Sequence, residues 1–111
     1  MAYTDPTPFK IPRRFENKGG LDVTAITEDV TLTYKSGQYQ IFTLTSVSAK
    51  TCILPAPVDG ASFTIRNAAA SNQIVNVNDH NGATLASLAA TGEYCICFAT
   101  DADWHLIGKG T

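Results

Sequence analysis

From about residue 22 onward, apolar and polar residues alternate in short runs separated by turn residues, a period of two that predicts strands. Val30-Thr31-Leu32-Thr33-Tyr34 is β-branched and aromatic, and Ser36-Gly37 closes it. In Tyr39-Gln40-Ile41-Phe42-Thr43-Leu44 the alternation puts Gln40, Phe42 and Leu44 on one face. Thr51-Cys52-Ile53-Leu54 is stopped by Pro55 and Pro57, and Asp59-Gly60 turns the chain into Ser62–Asn67. There Phe63 and Ile65 share a face, while Thr64 and Arg66 point the other way. Gln73–Asn78 aligns Val75 with Val77, and Asn81-Gly82 predicts a hairpin turn because both residues tolerate positive φ. Thr84–Leu88 is a brief strand, Thr91-Gly92 introduces Glu93–Phe98, and Asp103–Ile107 closes the series. In Glu93–Phe98 the residues Tyr94, Ile96 and Phe98 face one way.

These are about eight short strands, the pattern of a small antiparallel β-sandwich or barrel. No window of eleven or more residues carries a helical apolar period. The expected fold is therefore all-β, a single domain over residues 21–111.

Residues 1–20 read differently. Pro6, Pro8 and Pro12 fix φ and remove three backbone donors, which blocks helix and discourages a central strand. Thr7-Pro8-Phe9-Lys10-Ile11-Pro12 reads as an extended arm with Phe9 and Ile11 as apolar anchors, and Gly19-Gly20 breaks it from the domain. Met1–Pro6 has neither the basic flank nor the apolar stretch of a secretory signal, and no run of about 18 apolar residues exists. The expectation is a soluble chain made in the cytoplasm.

Charge sharpens the division. The 111 residues carry a formal net charge of −2, which argues against a nucleic-acid partner. Residues 1–20 hold four cations against two carboxylates, net +2, whereas residues 21–111 hold four against eight, net −4. Three cysteines, an odd number, make no disulfide framework. Cys95 and Cys97 lie two apart in one strand and face the same way, poorly placed to pair with each other. All three are expected to be small buried thiols, with a Cys52 bridge to Cys95 or Cys97 as the lesser alternative.

Catalytic chemistry is hard to find. His80 sits in Asn78-Asp79-His80-Asn81-Gly82, a turn explained by backbone geometry. His105 alternates with Trp104 and belongs on the solvent face of the last strand. Asp101, Asp103 and His105 have a spacing that could present metal ligands, but a tight turn before the closing strand accounts for both acids. The remaining carboxylates lie in or beside turns, not paired in an apolar pocket. Tyr34, Tyr39 and Trp104 could stack on sugar rings, although core packing explains them more simply. No enzyme activity, catalytic residue, cofactor or metal is expected, and no membrane partner.

The stretch from Thr51 to Gly108 carries a recurring order of motifs. Cys52-Ile53-Leu54-Pro55 precedes Asp59-Gly60 and Phe63-Thr64-Ile65-Arg66-Asn67; Ile74-Val75-Asn76-Val77, Gly82-Ala83-Thr84-Leu85 and Leu88 with Thr91-Gly92-Glu93 follow. Cys97-Phe98-Ala99-Thr100-Asp101 and Asp103-Trp104-His105-Leu106-Ile107-Gly108 end it. This order resembles the small β-module of tailed-bacteriophage virion proteins, both tail fibres and capsid decoration (cement) proteins. Asp79-His80-Asn81-Gly82 departs from the plain Ile-Asp-Gly of that family.

A short arm on one compact β-domain is closest to the decoration proteins, whereas fibre modules are usually embedded in long shafts. The resemblance implies a homotrimer on the outer capsid surface of the virion, bridging neighbouring subunits of the major capsid protein and stabilising the head. It also leaves a tail-fibre or baseplate module that contacts a host surface or carbohydrate as the other member of the class. The arm is then the capsid contact: Phe9, Ile11 and Phe15 fill apolar crevices, while Lys10, Arg13 and Arg14 meet carboxylates, the arginines bidentately.

Overall fold

The computed structural model describes residues 19–44, 48–69, 73–89 and 91–111. Among these, nine strands form two sheets: β1 Leu21–Ile26, β2 Val30–Thr31, β3 Tyr39–Leu44, β4 Lys50–Ile53, β5 Ser62–Asn67, β6 Val75–Asn78, β7 Thr84–Leu88, β8 Tyr94–Ala99 and β9 Trp104–Gly110. One sheet has the order β1-β3-β5-β8-β9 and the other β2-β4-β6-β7. The all-β fold follows the sequence pattern. Phe9, Lys10, Ile11, Arg13, Arg14 and Phe15 lie outside the described residues.

The expected antiparallel pairing is corrected in the first two-thirds of the chain. β1 pairs with β3 and β3 with β5, both parallel; β2 with β4 and β4 with β6 are parallel too. The cause is the winding. Successive strands from β1 to β6 alternate between the sheets, so each pair completes one full circuit before its neighbour is laid down in the same direction. The opposite sheet's strand serves as the crossover that parallel pairing needs. Only after β6 does the chain double back: β7 on β6, β8 on β5 and β9 on β8 are antiparallel.

β1 is a strand that the hydrophobic pattern does not reveal. Its apolar residues Leu21, Val23 and Ala25 are exposed, whereas Asp22 is half-buried and Ile26 is buried. Asp22 Oδ2 accepts from the Gly37 N–H at 2.7 Å and from Gln40 Nε2 at 2.9 Å, which ties β1 to the turn before β3. Gly37 is required by close approach, because a Cβ there would meet the Gly20 carbonyl oxygen at 2.9 Å and the Asp22 carboxylate at 3.1 Å.

Between the sheets lies one core. Gln40, Phe42 and Leu44 face inward as the alternation predicts, as do Phe63 with Ile65 and Val75 with Val77. Phe63 is flanked by Tyr34, stacked at a centroid distance of 6.2 Å, and by Trp104 at 5.8 Å. Both outer rings point their polar ends at the Pro55–Pro57 loop: Trp104 Nε1 donates to the Pro55 carbonyl at 2.7 Å and the Tyr34 hydroxyl to the Ala56 carbonyl at 2.6 Å.

The turns use the residues the pattern singled out, with one difference. Gly60 and Gly92 have φ of +88° and +93°, and the Ala61 N–H closes the first turn on the Val58 carbonyl. At Asn81-Gly82 only Gly82 has positive φ, +89°, so the two-residue hairpin turn is replaced by a longer loop. Asp79 braces it, its Oδ1 accepting from the N–H groups of Asn81 and Ala83 at 2.8 and 2.9 Å.

Asn67, fully buried at the end of β5, joins the sheets. Its Nδ2 donates to the carbonyls of Gln73 and Leu88 at 2.7 and 2.8 Å, and its Oδ1 accepts from the Ala69 N–H at 2.8 Å. Asn67→Ala would orphan three buried backbone groups and is expected to cost about 2–4 kcal/mol. Asn67→Asp, which sets a carboxylate against two carbonyls, is expected to cost more. Chemical denaturation of the purified variants measures both.

Candidate functional site

The two sheets differ on their outward faces. On the four-stranded sheet the residues between buried neighbours are Thr51 and Ile53 of β4, Asn76 and Asn78 of β6, and Ser87 of β7. Ser87 Oγ and Asn76 Oδ1 hydrogen-bond across it at 2.5 Å. That face is largely polar and suited to water.

The five-stranded sheet is the opposite. Its register lines up two outward rows across all five strands. The first is Leu21, Tyr39, Thr64, Ile96 and Gly108; the second is Val23, Ile41, Arg66, Tyr94 and Gly110. From β1 to β9 each row runs about 19 Å, four strand spacings. Leu21, Val23, Tyr39 and Phe98 are 58%, 66%, 48% and 45% exposed, and all four lie on this face. The other two large exposed hydrophobic residues, Leu106 and Ile107, sit on β9 beside its register shift.

Parallel strands usually have both faces covered, so the bare apolar residues over β1 and β3 mark this face as the candidate binding surface. A shallow depression of about 440 Å³ lies in it, lined by Leu21, Tyr39, Gln40, Ile41, Thr64, Arg66 and Tyr94. The two rows end on β9 in glycine, and Tyr94 uses the second of these: a Cβ at Gly110 would meet its hydroxyl at 2.9 Å and its ring at 3.0 Å. The ring therefore lies down over β9 and forms one wall of the depression, with Tyr39 near the other end.

Charge marks the same surface. The rows contain no carboxylate, in a body that is otherwise acidic. Arg66 is exposed near the centre of the second row and makes no ion pair among the described residues. Lys109, by contrast, is bridged to Glu93 at 3.7 Å.

The other residues weighed for chemistry are not brought together. Asp101 and Asp103 are exposed in a turn closed by the Thr100 N–H on the Asp103 carbonyl at 2.9 Å. His105 is exposed on β9, and His80 lies in the loop braced by Asp79. Among the described residues no group of three His, Cys, Asp or Glu side chains could hold a metal ion. Of the three aromatic residues considered for sugar stacking, Trp104 is buried and Tyr34 is packed on Phe63; Tyr39 alone stands on the candidate surface.

Cys52, Cys95 and Cys97 are buried and free, and the Cys95 and Cys97 Sγ atoms are 4.0 Å apart. The contact with Cys97 and burial push the Cys95 thiol up from its ordinary value, and burial, with Cys97 nearby, pushes Cys52 up. The same contact works the other way on Cys97, whose thiol it pulls down against the effect of burial.

No protein family, no characterised protein and no solved structure matches this chain. The class of protein therefore rests on geometry: a wound two-sheet β-body with one bare, carboxylate-free face.

Two outcomes are expected. Leu21→Ser combined with Val23→Ser should change folding stability by under about 1 kcal/mol, because both side chains are exposed, while lowering binding of an apolar fluorescent dye. Cys52, raised chiefly by burial, keeps its proton in the fold beyond the ordinary value of 9.0, whereas the unfolded chain releases it. Above pH 9 the native state then binds more protons than the unfolded one, so the melting temperature should fall as pH rises from 8 to 10.5.

Proposed function

We propose that this chain is a non-catalytic virion module, a capsid decoration protein that attaches to the major capsid protein and bridges its neighbouring subunits on the outer surface of a phage head. The observation that carries the reading is the bare apolar face of the five-stranded sheet, opposed by a polar face on the other sheet. A body built to present one surface suits attachment better than catalysis, which needs an enclosed polar constellation.

The motif order that resembles phage virion modules supports it, because its residues do structural work in this fold. Asn67 pins the sheets, Trp104 is hydrogen-bonded to Pro55, and Gly60 and Gly92 turn the chain with positive φ. In this reading the basic leader is the first grip, through Phe9, Lys10, Ile11, Arg13, Arg14 and Phe15. Ordering an extended leader costs entropy, so it must gain many contacts on docking. A homotrimer offsets that cost, since three linked leaders raise one another's effective concentration at the surface.

Capsids of the parent phage that lack this protein provide the test. The full chain is expected to bind them saturably and to raise the temperature at which they release their contents. Deletion of residues 1–20 is expected to weaken binding at least tenfold; binding undiminished by that deletion would overturn the leader's role. Light scattering at the working concentration is expected to give three times the chain mass.

A further inference from the structure

We infer that the depression around Arg66 is a second contact with the partner protein, built to take an apolar side chain of that protein flanked by a carboxylate. This deepens, and rests on, the capsid-attachment reading. The geometry is specific. Arg66 is an exposed guanidinium without an ion pair among the described residues, with Ile41 beside it on β3 and Tyr94 beside it on β8. Tyr94 lies over Gly110, and the guanidinium reaches toward the Gly92 turn, where a Cβ would meet Arg66 Nη2 at 3.7 Å. Leu21 and Tyr39 lie on the far side, and Gln40 and Thr64 are the other polar residues of a lining whose surface is mostly apolar.

An occupant must therefore satisfy one planar cation and several apolar walls together. A carboxylate meets a guanidinium through two parallel hydrogen bonds, and apolar surroundings strengthen that pair by excluding water. A saccharide would bring many hydroxyls to a lining that offers few polar partners, and would leave them unpaired.

Charge also decides between protein occupants. A second copy docked by the same face would oppose two guanidiniums and supply no carboxylate, since neither row contains one. Residues 1–20 carry net +2, so their overall charge opposes Arg66, although Phe15-Glu16 sets one carboxylate beside an aromatic ring and the test below includes that occupant. An acidic, apolar surface on another protein fits on both counts. It is the same chemistry that Arg13 and Arg14 of the leader require, and the leader enters the body at Gly19-Gly20, next to Leu21 at the rim of the depression. Leader and face thus address one acidic surface from adjacent positions.

The test measures binding of four full-length proteins to the undecorated capsids: wild type, Arg66→Glu, Arg66→Lys and Tyr39→Ala. Circular dichroism melts confirm that these surface changes leave the fold intact. Arg66→Glu is expected to weaken binding on the order of tenfold or more, and Arg66→Lys by less, since it keeps the charge and loses the fork. Tyr39→Ala is expected to weaken binding several-fold without changing its salt dependence, whereas Arg66→Glu should flatten it.

If wild type binds and Arg66→Glu binds equally well, the inference about this face fails while the attachment reading stands. If wild type does not bind, the attachment reading fails and takes the inference with it. Repeating the comparison with residues 1–18 deleted separates the other occupants. Loss of the Arg66 effect in that background would show that Arg66 acts on the leader, and a change confined to sedimentation would show that it acts on a second copy. Either result overturns the proposal.

Discussion

The relation between the two sheets depends on a single buried amide. Asn67 ends β5 in one sheet, and its side chain reaches the carbonyls of Gln73 and Leu88, which lie just before β6 and at the end of β7 in the other. Its own backbone is held as well, its N–H donating to the Glu93 carbonyl at 2.8 Å and its carbonyl accepting from the Gly92 N–H at 2.7 Å. One residue therefore ties the end of β5 to both the segment just before β6 and the end of β7. Hydrogen bonds of this kind are modest when made and costly when one partner is removed. An apolar residue of similar size would fill the space and leave the carbonyls bare.

The reversal after β6 gives the molecule its two unlike faces. Winding lays β1, β3 and β5 parallel, and each circuit buries one side of its strands against the opposite sheet. The returning strands β8 and β9 extend the same sheet without covering its outside. Nothing among the described residues lies over the two rows, so Leu21, Val23 and Tyr39 stand in solvent. The four-stranded sheet avoids this by setting Thr51, Asn76 and Ser87 outward beside its buried Cys52, Val75, Val77, Ala86 and Leu88. Free energy that the body forgoes by leaving apolar side chains exposed becomes available on docking, at about 25 cal/mol per Å² covered.

Electrostatics follow the same division. The carboxylates of residues 21–111 cluster in turns and sheet ends, outside the two rows, which hold one guanidinium without an ion pair among the described residues. A body of this kind is repelled by acidic surfaces in most orientations and attracted in one. On the proposed reading as an attachment protein, a weak contact made in that one pose is multiplied over several subunits.

Much of the fold was legible along the chain. The period of two found every strand from β2 onward, and glycines at 60, 82 and 92 marked turns because positive φ suits no other residue as well. The inward positions of Phe63, Ile65, Val75 and Val77 followed from alternation alone. The first strand was not legible, since a strand whose apolar residues face water while Asp22 turns inward to hold Gly37 and Gln40 inverts the usual pattern. Nor was strand direction, because alternation is the same whether a neighbour runs parallel or antiparallel. The candidate face depends on both. Which of Tyr34, Tyr39 and Trp104 would be exposed was settled by where β5 carries Phe63, between two of them. Local sequence determined the pleat and the turns, which are governed by a residue and its nearest neighbours. The parallel partners, the bare face and the surroundings of Arg66 were decided by residues such as Leu21 and Tyr39, Ile41 and Arg66, or Arg66 and Tyr94 meeting across the sheet, and no short-range pattern encodes such meetings.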